Sequence, residues 1–188
     1  MKIVVGITGA SGAVYGVRLL EELKVTGVET HLVVTPAAEL TVRYEIGCPI
    51  DSVRALASHN WDIDDIAAPL ASGSFRHDGM VVTPCSIKSL SALANSYAEN
   101  LLLRAGDVTL KERKKLVLLV RETPLHSGHL EAMLKLARMG AVIMPPMPSF
   151  YNQPKSIADL VNQTVGRVLD CLDIPNDLVT RWSGGDDE

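Results

Sequence analysis

The chain opens on a continuous apolar, β-branched run, Lys2 to Thr8, that leads straight into Gly9-Ala10-Ser11-Gly12. Such a run predicts a buried strand, the glycines a tight turn, and Val14 to Leu23, with Val17, Leu19, Leu20 and Leu23 apolar, a helix. Strand, glycine turn and helix N-terminus together make an anion site, because backbone N–H groups point outward and small residues let a phosphate or a flat ring approach. The spacing, GxxGxxG from Gly6 to Gly12, is neither the dinucleotide GxGxxG nor the P-loop GxxxxGK[ST]. At this point a phosphorylated cofactor and a merely tight turn both stay open.

A second run, Val28 to Val34, ends in Thr35-Pro36. A NAD site places Asp or Glu there to take the ribose hydroxyls. Thr35 carries a hydroxyl and no charge, which suits phosphate better than a ribose diol and argues for a mononucleotide.

Further along, Ala37 to Glu45 and Asp51 to Ala57 read as helices, and His59 to Phe75 as an irregular loop holding Asp62, Asp64 and Asp65. Gly79 to Thr83 is a third strand; Pro84-Cys85-Ser86-Ile87-Lys88-Ser89 then opens a helix with Ser86 as its N-cap. From that turn alone, an ordinary capped helix and a second phosphate contact both remain. Arg104 to Lys114 is polar and basic, and Lys111 to Lys115 reads as a mostly solvated face. Leu116 to Val120 is a fourth strand with Arg121-Glu122-Thr123-Pro124 at its C-terminal end, where open α/β sheets bind ligands. A helix from Ser127 to Met139, with Gly140 as C-cap, a strand from Ala141 to Met144, a proline-rich loop from Pro145 to Pro154, and a helix from Ile157 to Leu172 capped by Ser156 complete the chain.

Strands alternating with helices predict a single α/β domain over 1–182: a Rossmann-like, doubly wound parallel sheet in three layers. The expected strand order, counting Gly79–Thr83 as third, is 3-2-1-4-5. Residues 183–188 read as a disordered tail. Charge narrows the partners. Eighteen basic and 22 acidic residues give a net −4 with no basic footprint for nucleic acid. No run approaches the roughly 20 apolar residues of a membrane helix. The N-terminus carries no signal peptide, and three cysteines without CxxC spacing fit free thiols in the cytoplasm.

The set Gly6–Gly12, Ala71-Ser72-Gly73-Ser74-Phe75, Pro84-Cys85-Ser86, Arg104–Val108, Leu110–Arg113, Arg121–Leu125, His129-Leu130-Glu131 and Pro145–Pro154 resembles the UbiX-type flavin prenyltransferases, a family also described as a component of phenolic acid decarboxylases. The resemblance implies FMN as cofactor, a homo-oligomer, typically a dodecamer with sites at subunit interfaces, and a reaction that joins a dimethylallyl group from dimethylallyl phosphate to N5 and C6 of reduced FMN. The prenylated FMN serves a UbiD-type decarboxylase. Carried over by position, Gly9, Ala10, Ser11, Thr35, Ser86, Ile87, Lys88, Ser89 and Arg121 contact FMN. Lys111, Tyr151 and Arg167 clamp the substrate phosphate, with Arg104 near it. Glu122 is the acid that assists phosphate departure, Ser11 and Glu45 handle protons near N5, and Trp182 walls the prenyl pocket. The chain departs from many relatives at His126 and Ala132, where serine and asparagine are common.

These residue types suit the chemistry. A phosphate leaving group needs cations and donors where its charge grows. Three fixed cations and a tyrosine can balance a monophosphate without metal. Asp62-Ile63-Asp64-Asp65 lacks the DDxxD spacing of magnesium-dependent prenyltransferases, so no metal site is expected. Two rival readings are a flavin-dependent peptidyl-cysteine decarboxylase and a non-catalytic flavin-carrying subunit. The first carries an asparagine-bearing turn after strand three and an early catalytic histidine; here that turn lacks asparagine and His31 lies inside a strand. The second needs no substrate-phosphate clamp.

Overall fold

The computed structural model describes residues 1–179 and 181. The strands are β1 (Lys2–Ile7), β2 (Glu29–Val34), β3 (His59–Trp61), β4 (Gly79–Cys85), β5 (Lys115–Val120) and β6 (Val142–Ile143). The helices are α1 (Ala13–Val25), α2 (Pro36–Glu45), α3 (Ile50–Arg54), α4 (Ile87–Ala94), α5 (Leu101–Lys111), α6 (Ser127–Arg138) and α7 (Ile157–Cys171).

All six strands join one sheet in the order β3-β2-β1-β4-β5-β6, and each paired ladder is parallel. The expected Rossmann-like, doubly wound α/β class holds. The expected order needs correction: the strand from Gly79 lies beside β1, not beyond β2, and the edge next to β2 belongs to His59–Trp61. The register Ile3↔Gly79 through Gly6↔Val82 fixes this placement.

Strand side chains alternate between two cores, as the pleat requires. Ile3, Val5, Ile7, Val81, Val117 and Leu119 face a layer built from α1, α2, α3 and α7. Val4, Val33, Met80, Val82, Leu116 and Leu118 face α4, α5 and α6. Lys111 to Lys115, expected as a mostly solvated face, is exposed apart from half-buried Lys114, and the polar, basic stretch before it is largely α5, which buries Leu101, Leu102, Leu103, Ala105, Val108 and Leu110. Its basic residues line only the outer face of an amphipathic helix. The loop expected from His59 to Phe75 likewise contains β3 and a 3-10 turn at Pro69–Ala71.

Caps mark the helix ends. Thr35 accepts from Ala38 N–H at the start of α2, and Ser86 from Ser89 N–H at the start of α4. Ser156 and Asp159 form a reciprocal capping box on α7. Gly140 takes φ 99° just past α6, the left-handed conformation a helix C-terminus favours.

Candidate active site

At the C-terminal edge of the sheet the chain crosses from β1 to α1 on one face and from β4 to α4 on the other. Strands that part company in this way open a crevice. Two adjoining hollows occupy it. One, about 450 Å³, is lined by Thr8, Gly9, Thr35, Ile63, Ser86 and Asn100 among others. The other, about 470 Å³, is lined by Gly9, Ala10, Ser11, Ser86, Ile87, Lys88, Arg121 and Glu122. Gly9, Ser86 and Lys88 belong to both, so they form one cleft of the size that holds a cofactor.

Gly9 has no room for a side chain: a Cβ there would lie 2.4 Å from the Ala37 Cβ. Helix α2 therefore packs directly on the turn. Gly12 is the N-cap of α1 at φ 106°, ψ 30°, where other residues are strained. The first donors of α1, the N–H groups of Gly12 and Ala13, both bond Glu45 Oε2 at 2.8 Å. The anion at the α1 N-terminus is thus the protein's own carboxylate, brought from the end of α2. Burial pushes the Glu45 pKa up. Hydrogen bonds from Ser11, Gly12 and Ala13, with the charge of Arg121, more than offset it and leave it below the ordinary 4.5. Arg121 reaches back across the crevice to donate to Ser11 O at 3.1 Å.

The second turn keeps its donors for the cleft. Ser86 N–H is taken by Thr8 Oγ1 at 2.8 Å, and Ser89 N–H by Ser86 Oγ at 3.3 Å. That leaves Ile87 and Lys88, the first residues of α4, whose N–H groups have no carbonyl a turn below them. Of the four residues expected to contact the cofactor here, then, two offer backbone donors, while Ser86 Oγ caps the Ser89 N–H and donates to Ser89 Oγ. Thr35 Oγ1 accepts from Ala38 N–H and keeps its proton to donate. Lys88 pairs with Glu99 at 2.9 Å on the rim. Glu122, exposed at the far end, accepts from Thr123 N–H at 3.0 Å. These donors and the turn of small residues fit a phosphorylated planar cofactor.

Ser11, Glu45, Arg121 and Glu122 therefore converge. The remaining site candidates do not join them within one chain. Arg104 and Lys111 lie on α5, in the opposite layer from Arg167 on α7. Arg104 donates to Ala71 O and pairs with Asp107, both within 3.1 Å. Lys111 pairs with Glu112 beside Gly73. Tyr151 and Arg167 share a separate hollow of about 160 Å³ with Met144, Ser149 and Gln163, and Arg167 pairs with Asp170 at 2.8 Å. Trp182 lies outside the described residues. What the sequence did not suggest is the role of Thr8 and of the Glu45 carboxylate as an intramolecular cap; both depend on contacts between distant segments.

The aspartate loop spends its carboxylates on itself: Asp62 accepts from Asp64 N–H at 2.9 Å and Asp65 from Ala67 N–H at 3.1 Å. A more suggestive trio is Glu29, His31 and His59, whose ligand atoms lie within 4.8 Å of one another. Trp61 Nε1–H, a donor only, bonds His31 Nδ1 at 3.1 Å. His31 must then carry its proton on Nε2, where it faces Glu29 Oε1 at 3.1 Å. A metal-binding imidazole needs the reverse arrangement.

The model of the flavoprotein family matches residues 1–171. The flavin prenyltransferase UbiX of Thauera aromatica is 54% identical over 187 residues, covering 100% of this chain and 96% of its own. Among solved structures, AnUbiX (PadA1) in complex with FMN and dimethylallyl pyrophosphate superposes with TM-score 0.97 at 49% identity, over 98% of each chain. A dodecameric FMN-dependent UbiX-like decarboxylase from Escherichia coli O157:H7 gives 0.96 at 48% identity, over 98% of this chain and 100% of that one.

Proposed function

The chain belongs to the flavoprotein family and, within it, to the UbiX flavin prenyltransferases; from that premise we propose that it transfers a dimethylallyl group from dimethylallyl phosphate to N5 and C6 of reduced FMN. The observation that carries this reading is the single cleft at the β1/β4 crevice, with open donors at α4 on one side and Arg121 and Glu122 at its end.

When bound, reduced FMN supplies the nucleophilic positions. The chain's own groups do the rest. Ile87 and Lys88 N–H, with the Thr35 hydroxyl, hold the cofactor phosphate. Gly9, Ala10 and Ser11 form the floor on which the ring lies. Glu45 stays ionised and accepts from Ser11, which orients the Ser11 oxygen toward the ring edge. Glu122 protonates the departing phosphate as the bond from C1 to oxygen breaks, and Arg121 beside it stabilises the growing charge.

Arg104, Lys111, Tyr151 and Arg167 complete the phosphate clamp from neighbouring subunits of a homo-oligomer, a dodecamer by likeness to the Escherichia coli O157:H7 protein. Exposed apolar groups on α6, the loop after β6 and the start of α7, Leu130, Leu134, Met147, Phe150 and Ile157, supply surface for such packing. Prenylated FMN passes to a UbiD-type decarboxylase in the cytoplasm. No described helix is long and apolar enough to cross a membrane. A peptidyl-cysteine decarboxylase is disfavoured because His31 sits towards the opposite edge of the sheet, fixed between Trp61 and Glu29.

The test is direct. The protein is incubated with reduced FMN and dimethylallyl phosphate, and the extracted flavin is weighed by mass spectrometry. Flavin of one added prenyl group is expected; unmodified FMN overturns the proposal.

A further inference from the structure

We infer that Thr8 is a positioning residue for the cofactor: its hydroxyl is the clasp that sets the distance and orientation between the two walls of the cleft. The inference rests on the proposed FMN site. The ladder between β1 and β4 ends at Gly6↔Val82. Beyond it, the two strands lead to helices on opposite faces, and nothing in the sheet itself holds their ends together. Thr8 takes over at that point. Its Oγ1 donates to Pro84 O at 2.7 Å and accepts from Ser86 N–H at 2.8 Å, and its own N–H reaches Pro84 O at 3.3 Å. The residue is 1% exposed, so its hydroxyl is engaged by these two partners rather than by bulk solvent.

The consequence falls on the neighbours. On one side Thr8 directly precedes Gly9-Ala10-Ser11, the floor of the cleft. On the other it fixes the Ser86 peptide plane, and Ser86 is the N-cap from which the Ile87 and Lys88 N–H groups project. A hydroxyl that donates to one segment and accepts from it two residues later defines both translation and tilt. A valine of the same shape could define neither and would take from the half-buried Ser86 N–H its partner within the protein.

The FMN-loaded wild type, Thr8→Val and Thr8→Ser are diluted and the return of free-flavin fluorescence gives each affinity. Melting temperatures and, at saturating FMN, KM and kcat for dimethylallyl phosphate are measured alongside. Thr8→Val is expected to weaken FMN by about tenfold or more, with KM for the donor unchanged. Thr8→Ser, which restores donor and acceptor, is expected within about threefold of wild type. Should Thr8→Val fail to fold, Thr8→Ala replaces it in the same measurement. Wild-type affinity in the hydroxyl-free variant, or a serine variant as weak as it, overturns the inference. A wild type that holds no FMN overturns the proposed function as well.

Discussion

The two ends of the same sheet handle polar groups in opposite ways. At the C-terminal edge, the first N–H groups of α4, the Thr35 proton and the Arg121 guanidinium face an open cleft. Towards the N-terminal edge, His31, His59, Trp61 and Phe75 pack ring against ring, with His31 and His59 centroids 4.6 Å apart. There His31 is 3% exposed and both its ring nitrogens are bonded. Both regions hold residues that could do chemistry. The difference teaches that donors left open mark the working edge, whereas His31, with both ring nitrogens already engaged, has nothing left to offer a ligand.

The harshest test of this contrast is Glu122→Gln. It removes a proton from the working edge and should lower kcat by about 10²- to 10⁴-fold while FMN stays bound. Wild-type activity should survive excess EDTA; an enzyme that died in EDTA and recovered with magnesium would move the chemistry elsewhere. Next, Arg167→Ala should lose transfer by about 10²-fold and keep FMN. Ser86→Asp, placing a negative charge at the α4 N-terminus, should instead weaken FMN by about tenfold. Equal loss of FMN in both would break the division between cofactor and substrate phosphates.

At the other edge Trp61→Phe sharpens the comparison. It strips the donor from His31 Nδ1 and should cost about 1–3 kcal/mol of stability in chemical denaturation, with transfer intact. It also frees His31 to present a lone pair at Nε2. Zinc should then raise the melting temperature of the variant and leave the wild type unmoved; a wild type stabilised by zinc would overturn the assignment of the cluster as structural.

The mildest effect is on pH. Burial lowers the pKa of both His31 and His77 from the ordinary 6.5. Below that value the unfolded chain takes up protons that the native histidines refuse, so stability rises with pH across the interval between native and unfolded values and falls as acid is added. Replacing His31 by Phe should flatten this part of the profile, read as melting temperature from pH 7 to 5. An unchanged slope would show that His31 titrates alike in both states.

Much of the architecture was legible because it is local. The apolar runs at Lys2–Ile7 and Lys115–Val120 announce parallel strands buried on both faces, and Ser86 and Ser156 announce the helices they cap. Strand order was not, since no local pattern says which strand lies beside β1. β3 escaped because His59-Asn60-Trp61 has no apolar pattern and owes its strand form to pairing with β2. α5 escaped because its charged outer face masked the buried Leu101, Ala105 and Val108. In the site, the resemblance supplied Glu45, but only the fold shows its carboxylate on Gly12 and Ala13, more than thirty residues away.

The placement of Arg104 and Lys111 in one layer and Arg167 in the other has a genetic consequence. If each working centre draws α5 from one subunit and α7 from another, a Lys111→Ala chain and an Arg167→Ala chain are each inactive in different halves. Mixed at random in one assembly, about a quarter of the centres would receive two sound halves. Two null alleles in the same cell would then complement one another, and a single defective allele would poison centres that its normal counterpart shares.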